Sequence, residues 1–123
     1  MNARLREEHF ETLASPIAKE AYDMLLDACE KREGGATDAD QMLIYNYARA
    51  EDIKQICIED MAKHGLGTER YNGRQHYFQE NKAIGHERAS AEQQRKILVE
   101  LRLTPQARKA LPVSIDEDAF ENF

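Results

Sequence analysis

The sequence predicts a mainly α-helical chain: an antiparallel helical hairpin plus a third long helix, with a small β-hairpin between them. Three observations predict it. Apolar residues recur at helical spacing in three long stretches. The first two stretches open on helix-start signals, Ser15-Pro16 and Thr37-Asp38-Ala39-Asp40. Between the second and third lies a glycine-rich break, followed by Tyr71-Asn72-Gly73-Arg74. Asn-Gly is a strong hairpin signal because both residues tolerate positive φ.

The elements follow in order. Residues 1–14 read as a polar N-terminal lead-in, frayed where it is helical. Ser15 suits an N-cap and Pro16 the first helical position, which needs no amide donor. Ile17, Ala21, Met24, Leu25 and Ala28, with Cys29 beside them, then mark a helix over about 16–32. Lys31 and Arg32 suit its C-terminal charge, and Gly34-Gly35 ends it. Thr37 and Asp40 form a capping box, opening a helix over 38–63. Leu43, Tyr47, Ala50, Ile53, Cys57 and Met61 lie along one side of it, and Ile44, Ile56 and Ile58 broaden the apolar surface. A helix apolar on more than one side has more than one neighbour, and in so short a chain the second can be another subunit.

Gly65-Leu66-Gly67 stops that helix, and the β-hairpin covers about 68–78. An isolated hairpin is marginal, so it must pack on helices or pair with a neighbouring chain. The third long helix covers 80–102, with Ile84, Ala91 and Leu98 every seventh residue along a narrow seam. Thr104-Pro105 restarts a short helix over 105–111, and Pro112 closes it. Residues 15–111 therefore read as one helical domain, and residues 112–123 as an acidic C-terminal tail.

Length and composition limit the function. A chain of 123 residues supports one domain. No run approaches the roughly 18 apolar residues of a membrane span, and the charged N-terminus is no secretory signal. Cys29 and Cys57 have no CxxC context and read as buried thiols in a reducing compartment.

Charge is unevenly placed within the net −6. Residues 1–69 carry a balance of −7, residues 70–111 one of +5, and residues 112–123 one of −4. The middle block suits a polyanion such as DNA, or a helical face solvated by Lys and Arg. Arg88, Arg95 and Arg102, seven apart, form one stripe beside the apolar seam. Such a row tracks phosphates or pairs with the acidic faces of a neighbouring subunit. Arg70 and Arg74 flank the hairpin turn and project to DNA or to another subunit. In the tail, acidic and aromatic residues alternate, which suits a peptide that orders on a partner.

No catalytic, metal or cofactor constellation stands out. The four histidines read as surface residues, and no HExxH or Cys/His cluster marks a zinc site. There is no P-loop, dinucleotide fingerprint, EF-hand loop or nucleophile elbow. The pairs Glu51-Asp52 and Glu59-Asp60 read as a helix's solvated face. The residues point to binding: a DNA-contacting protein or, alternatively, a small helical protein–protein adaptor without DNA binding.

The order of elements, the hairpin at Asn72-Gly73 and the segment Leu103-Thr104-Pro105-Gln106-Ala107-Arg108-Lys109-Ala110-Leu111 resemble the small terminase subunits of tailed phages. The likeness covers residues 16–111 and is strongest to the branch with a C-terminal L-T-P-x-A-R segment. It implies a non-catalytic, cofactor-free homo-oligomeric ring of about 8–11 copies. Such rings recognise packaging-site viral DNA in the host cytoplasm and regulate the large ATPase/nuclease subunit. On this chain the resemblance, with the charge pattern, nominates Arg70, Arg74, Arg88, Arg95, Lys96 and Arg102 for double-stranded DNA. It nominates Asp116, Glu117, Asp118, Phe120 and Phe123 for the large subunit, and residues 37–63 among the subunit contacts.

Overall fold

A computed structural model describes residues 1–103, the side chain of Asn72 excepted. The expected helix over 105–111 and the acidic tail lie outside the described residues. The elements are α1 (Ala3–Thr12), α2 (Pro16–Glu30), α3 (Asp38–His64), β1 (Gly67–Asn72), β2 (Gln75–Glu80) and α4 (Lys82–Glu100). The described chain is thus mainly helical, with a small two-stranded antiparallel sheet between α3 and α4.

Local chemistry sets the helix starts. The Ser15 hydroxyl accepts from the amides of Ile17 and Ala18, and Pro16 occupies the first turn of α2. At α3 the capping box is complete: Thr37 Oγ1 accepts from Asp40 N, and Asp40 Oδ2 accepts from Thr37 N, both at 3.1 Å. Asn81 caps α4 through Ala83 N.

α3 is the central element, with α2 on one side and α4 on another. The core is built from Tyr22, Leu25, Leu26 and Cys29 of α2, Ile44, Tyr47 and Ala48 of α3, and Ile97, Leu98 and Leu101 at the end of α4. Each fully buried Leu or Ile side chain stabilises by about 1.5–3 kcal/mol. Cys29 and Cys57 are free and buried thiols.

Two parts differ from expectation. Residues 3–12, expected as a polar lead-in frayed where helical, form a helix docked on the body. Its His9 is buried, not a surface histidine. His9 stacks on Tyr45 at 4.2 Å between centroids, and its Nδ1 lies 2.7 Å from the Tyr22 hydroxyl. That hydroxyl also accepts from Gln41 Nε2 at 3.3 Å. Arg6 fixes the same helix by a two-pronged pair with Asp23 at 2.8 Å.

The second difference is the inner face of α3. Ile53, expected on the apolar stripe, is 40% exposed, while Glu51, Asp52 and Lys54 are buried. Glu51-Asp52 is therefore not a solvated face. Asp52 accepts from the amides of Ala14 and Ser15, groups that the start of α2 leaves without helical partners. Glu51 and Lys54 meet α4 at Gln94. Lys54 Nζ donates to Gln94 Oε1 at 3.1 Å, and Gln94 Nε2 donates to Glu51 Oε2 at 2.8 Å and to the Tyr47 carbonyl at 3.2 Å. A long helix with neighbours on two sides must bury some polar positions, and these are satisfied by one another.

Candidate nucleic-acid interface

The hairpin is a ribbon that leaves the helical body. Its base is pinned: Asn81 N donates to the Leu66 carbonyl at 2.8 Å, and Asn81 Nδ2 to Gly65 O and Asp60 Oδ2. Beyond that, every residue of β2 is exposed. The register pairs Gly67 with Glu80 and runs to Asn72 opposite Gln75. The two-residue loop is therefore Gly73-Arg74, not Asn72-Gly73. Gly73 has φ of +60°, and among the described residues Arg102 is the one non-glycine residue with positive φ. Positive φ at the first loop position alone is the pattern of a type II′ turn, which needs glycine only there.

Strand alternation gives the ribbon two unlike faces, because directly opposed residues share a face. One carries Glu69, Tyr71, His76, Phe78 and Glu80. Its groups are occupied locally. Tyr71 stacks on His76 at 4.6 Å, and His76 Nε2 lies 3.2 Å from Glu69 Oε2. Phe78 lies over Gly67, where a β-carbon would stand 2.3 Å from its ring, so only glycine fits. The other face carries Thr68, Arg70, Gln75, Tyr77 and Gln79 and has no carboxylate.

The six residues nominated for DNA fall on two elements. Arg70 and Arg74 are exposed on the ribbon, Arg74 at its tip. Arg88 and Arg95 share one flank of α4 at the seven-residue spacing, whereas Arg102, expected on the same stripe, lies past the helix end. Lys96 is exposed but lies roughly 100° around the helix from Arg95. Arg95 is partly withdrawn by an ion pair with Glu92. Arg88 is exposed at the rim of an open groove of about 680 Å³, walled by Ile58, Met61, Leu66, Ile84 and Ala91. Arg102 is exposed just past the end of α4, in the left-handed region at φ 52°. Among the described residues, Arg70, Arg74, Arg88, Lys96 and Arg102 form no ion pair. The tail residues Asp116, Glu117, Asp118, Phe120 and Phe123 lie outside the described residues.

The sequence did not signal Gln94 or Lys54 as buried, nor the acid-free face of the ribbon. The first needed the α3–α4 contact. The second needed the strand register, which the Asn-Gly signal places one residue early. Among the described residues, no group of three or more His, Cys, Asp or Glu side chains is placed to hold a metal ion. None of the described helices is long and apolar enough to cross a membrane.

A helical body thus carries a projecting two-stranded ribbon with Arg70 and Arg74 exposed, and exposed Arg88, Lys96 and Arg102 on and just past α4. The sequence matches the family described as phage terminase, small subunit, over residues 18–118. The chain belongs to that family, and its role lies in phage DNA packaging, together with DNA and a large terminase subunit inside the infected cell. Members of this family are generally non-catalytic. Neither the curated proteins nor the solved structures contain a significant match.

Proposed function

We propose that this chain is a non-catalytic, ring-forming subunit that recognises double-stranded packaging-site DNA in the host cytoplasm and regulates the large ATPase/nuclease. The family match over residues 18–118 carries the reading. The described surface is consistent with DNA binding and with assembly. Arg70, Arg74, Arg88, Arg95, Lys96 and Arg102 supply the positive charge that phosphates attract, and a ring would repeat that charge on every subunit. Avidity lets a chain of net charge −6 bind a polyanion through a local basic region. For assembly, α3 turns Met42, Ile53 and Ile56 outward, at 47%, 40% and 65% exposure, a surface with room for a second subunit. Asp116, Glu117, Asp118, Phe120 and Phe123 are the proposed dock for the large subunit.

Light scattering on the purified chain is the test. The expected mass is about 8–11 times the 14.2 kDa protomer at both low and moderate salt. Duplex binding should then weaken steeply as salt rises. A monomer or dimer at both salts would replace this reading with a helical adaptor that binds another protein.

A further inference from the structure

We infer that the ribbon engages duplex DNA with one face only, through Thr68, Arg70, Gln75, Tyr77 and Gln79, lying in the major groove and reading base edges. The inference rests on the DNA-binding reading above and adds which surface reads sequence. A two-stranded ribbon is one of the two secondary structures that fit the major groove. Alternation puts these five side chains on one side of the strands. Arginine pairs with guanine O6 and N7, glutamine with adenine N6 and N7, and hydroxyls of Thr and Tyr reach bases or phosphates. The set is therefore a reading surface in its chemistry as well as its charge.

The opposite face is excluded by the same reasoning. Glu69 and Glu80 would stand against phosphates. Its histidine is engaged by Glu69 and Tyr71, and Phe78 covers the backbone at Gly67. The ribbon's base is held by Asn81 while its strands are free of the helices, so the reading face is accessible along its length. Gln79 to Gln75 spans about 13 Å at the strand rise, which matches roughly four base-pair steps. Each ribbon should then specify a short sequence of that size.

The test uses the full chain and a duplex library with a randomised centre. Sequences enriched by the wild type are compared with random duplex in anisotropy titrations. The double variant Gln75→Ala/Gln79→Ala should lose about 10-fold or more of the preference for enriched over random duplex, with little change on random duplex. Arg70→Ala should weaken binding to both and lower the salt slope by about 1. Gln79→Glu, which sets a carboxylate on the reading face, should lower affinity for every duplex. Glu80→Gln, on the other face, should leave the preference for enriched over random duplex unchanged. Circular dichroism and solution mass identical to wild type establish that each variant is folded.

Three outcomes would overturn the inference. If the wild type binds duplex without sequence preference, the ribbon reads nothing. If the glutamine variants keep both affinity and preference while Arg88→Ala/Lys96→Ala loses them, readout belongs to α4 and DNA binding itself stands. If the wild type binds no duplex at low salt, both the inference and the DNA-binding reading fall.

Discussion

Between α3 and α4 a glutamate and a lysine are buried, whereas on the ribbon Tyr71 and Phe78 stand in solvent, at 74% and 62% exposure. Simple partition by polarity would put each pair where the other is. In the body, the polar groups are admissible because Gln94 bonds to both and Gln55 Nε2 adds a second donor to Glu51. Such a network costs desolvation but fixes one register of α3 on α4, since a shift along either helix would leave charges buried without these partners. On the ribbon, the aromatic rings contribute little to a core. They hold two strands together over Gly67 and across the Tyr71–His76 rung. The body is determined by its burial, and the ribbon by its turn and its cross-strand pairs.

The largest expected effect breaks that contrast directly. Glu51→Ala takes a counter-charge from the buried Lys54 ammonium, 3.7 Å away, and an acceptor from Gln94. Removing one partner of a buried pair should destabilise by about 3–5 kcal/mol. Tyr77→Ala on the ribbon should cost less than about 0.5 kcal/mol of global stability, because its loss opens no core. Urea denaturation followed by far-UV circular dichroism measures both. Equal costs for the two variants would mean that the ribbon folds as part of the body.

How much was legible follows from the same contrast. Signals that depend on neighbours in sequence were legible: the Ser15-Pro16 start, the Thr37–Asp40 capping box, and the strand–turn–strand after Gly67. Signals that depend on neighbours in space were not. Asp52 looks like a solvated helix carboxylate until the chain ends of α1 and α2 are brought to it. His9 looks like a surface residue because its helix is polar on average, yet its ring and that of Phe10 dock the helix against Tyr22 and Tyr45. The hairpin was legible but its loop was displaced by one residue, since Asn-Gly and Gly-Arg both satisfy a two-residue turn. For the candidate site, the arginines were legible from charge alone, but their division between the ribbon and α4 required the register.

A middle-sized effect tests the docking of α1 against the body. Burial pushes the His9 pKa below its ordinary 6.5, opposed in part by Glu8. The folded chain therefore binds this proton less readily than the unfolded chain. Stability from this group is complete above about pH 6.5 and falls as pH drops from there through the folded value. Thermal melts between pH 7.5 and 5 should show that loss, and His9→Gln should flatten it. Amide exchange in residues 3–12 should quicken before that of α2 and α3. A melt profile identical in the two proteins would place the proton uptake elsewhere.

The smallest effect concerns the point where α4 gives way to the chain beyond it. Leu101 N bonds to the Ile97 carbonyl and Arg102 N to the Val99 carbonyl, and Arg102 takes the left-handed turn that lets Leu103 return to the core. Glycine is the usual residue at such a position, because a β-carbon there costs roughly 1–2 kcal/mol. Arg32 holds the same end by donating to the Leu101 carbonyl while pairing with Asp40 at 2.8 Å. Arg102→Gly should therefore raise stability by about 1 kcal/mol, whereas Arg102→Ala, which keeps the β-carbon, should change it by less than about 0.5 kcal/mol. Both variants lose the same charge, so both should weaken duplex binding alike if Arg102 contacts phosphate. Denaturation midpoints separate the two effects. A glycine variant no more stable than the alanine variant would mean that α4 does not end in this left-handed turn in solution.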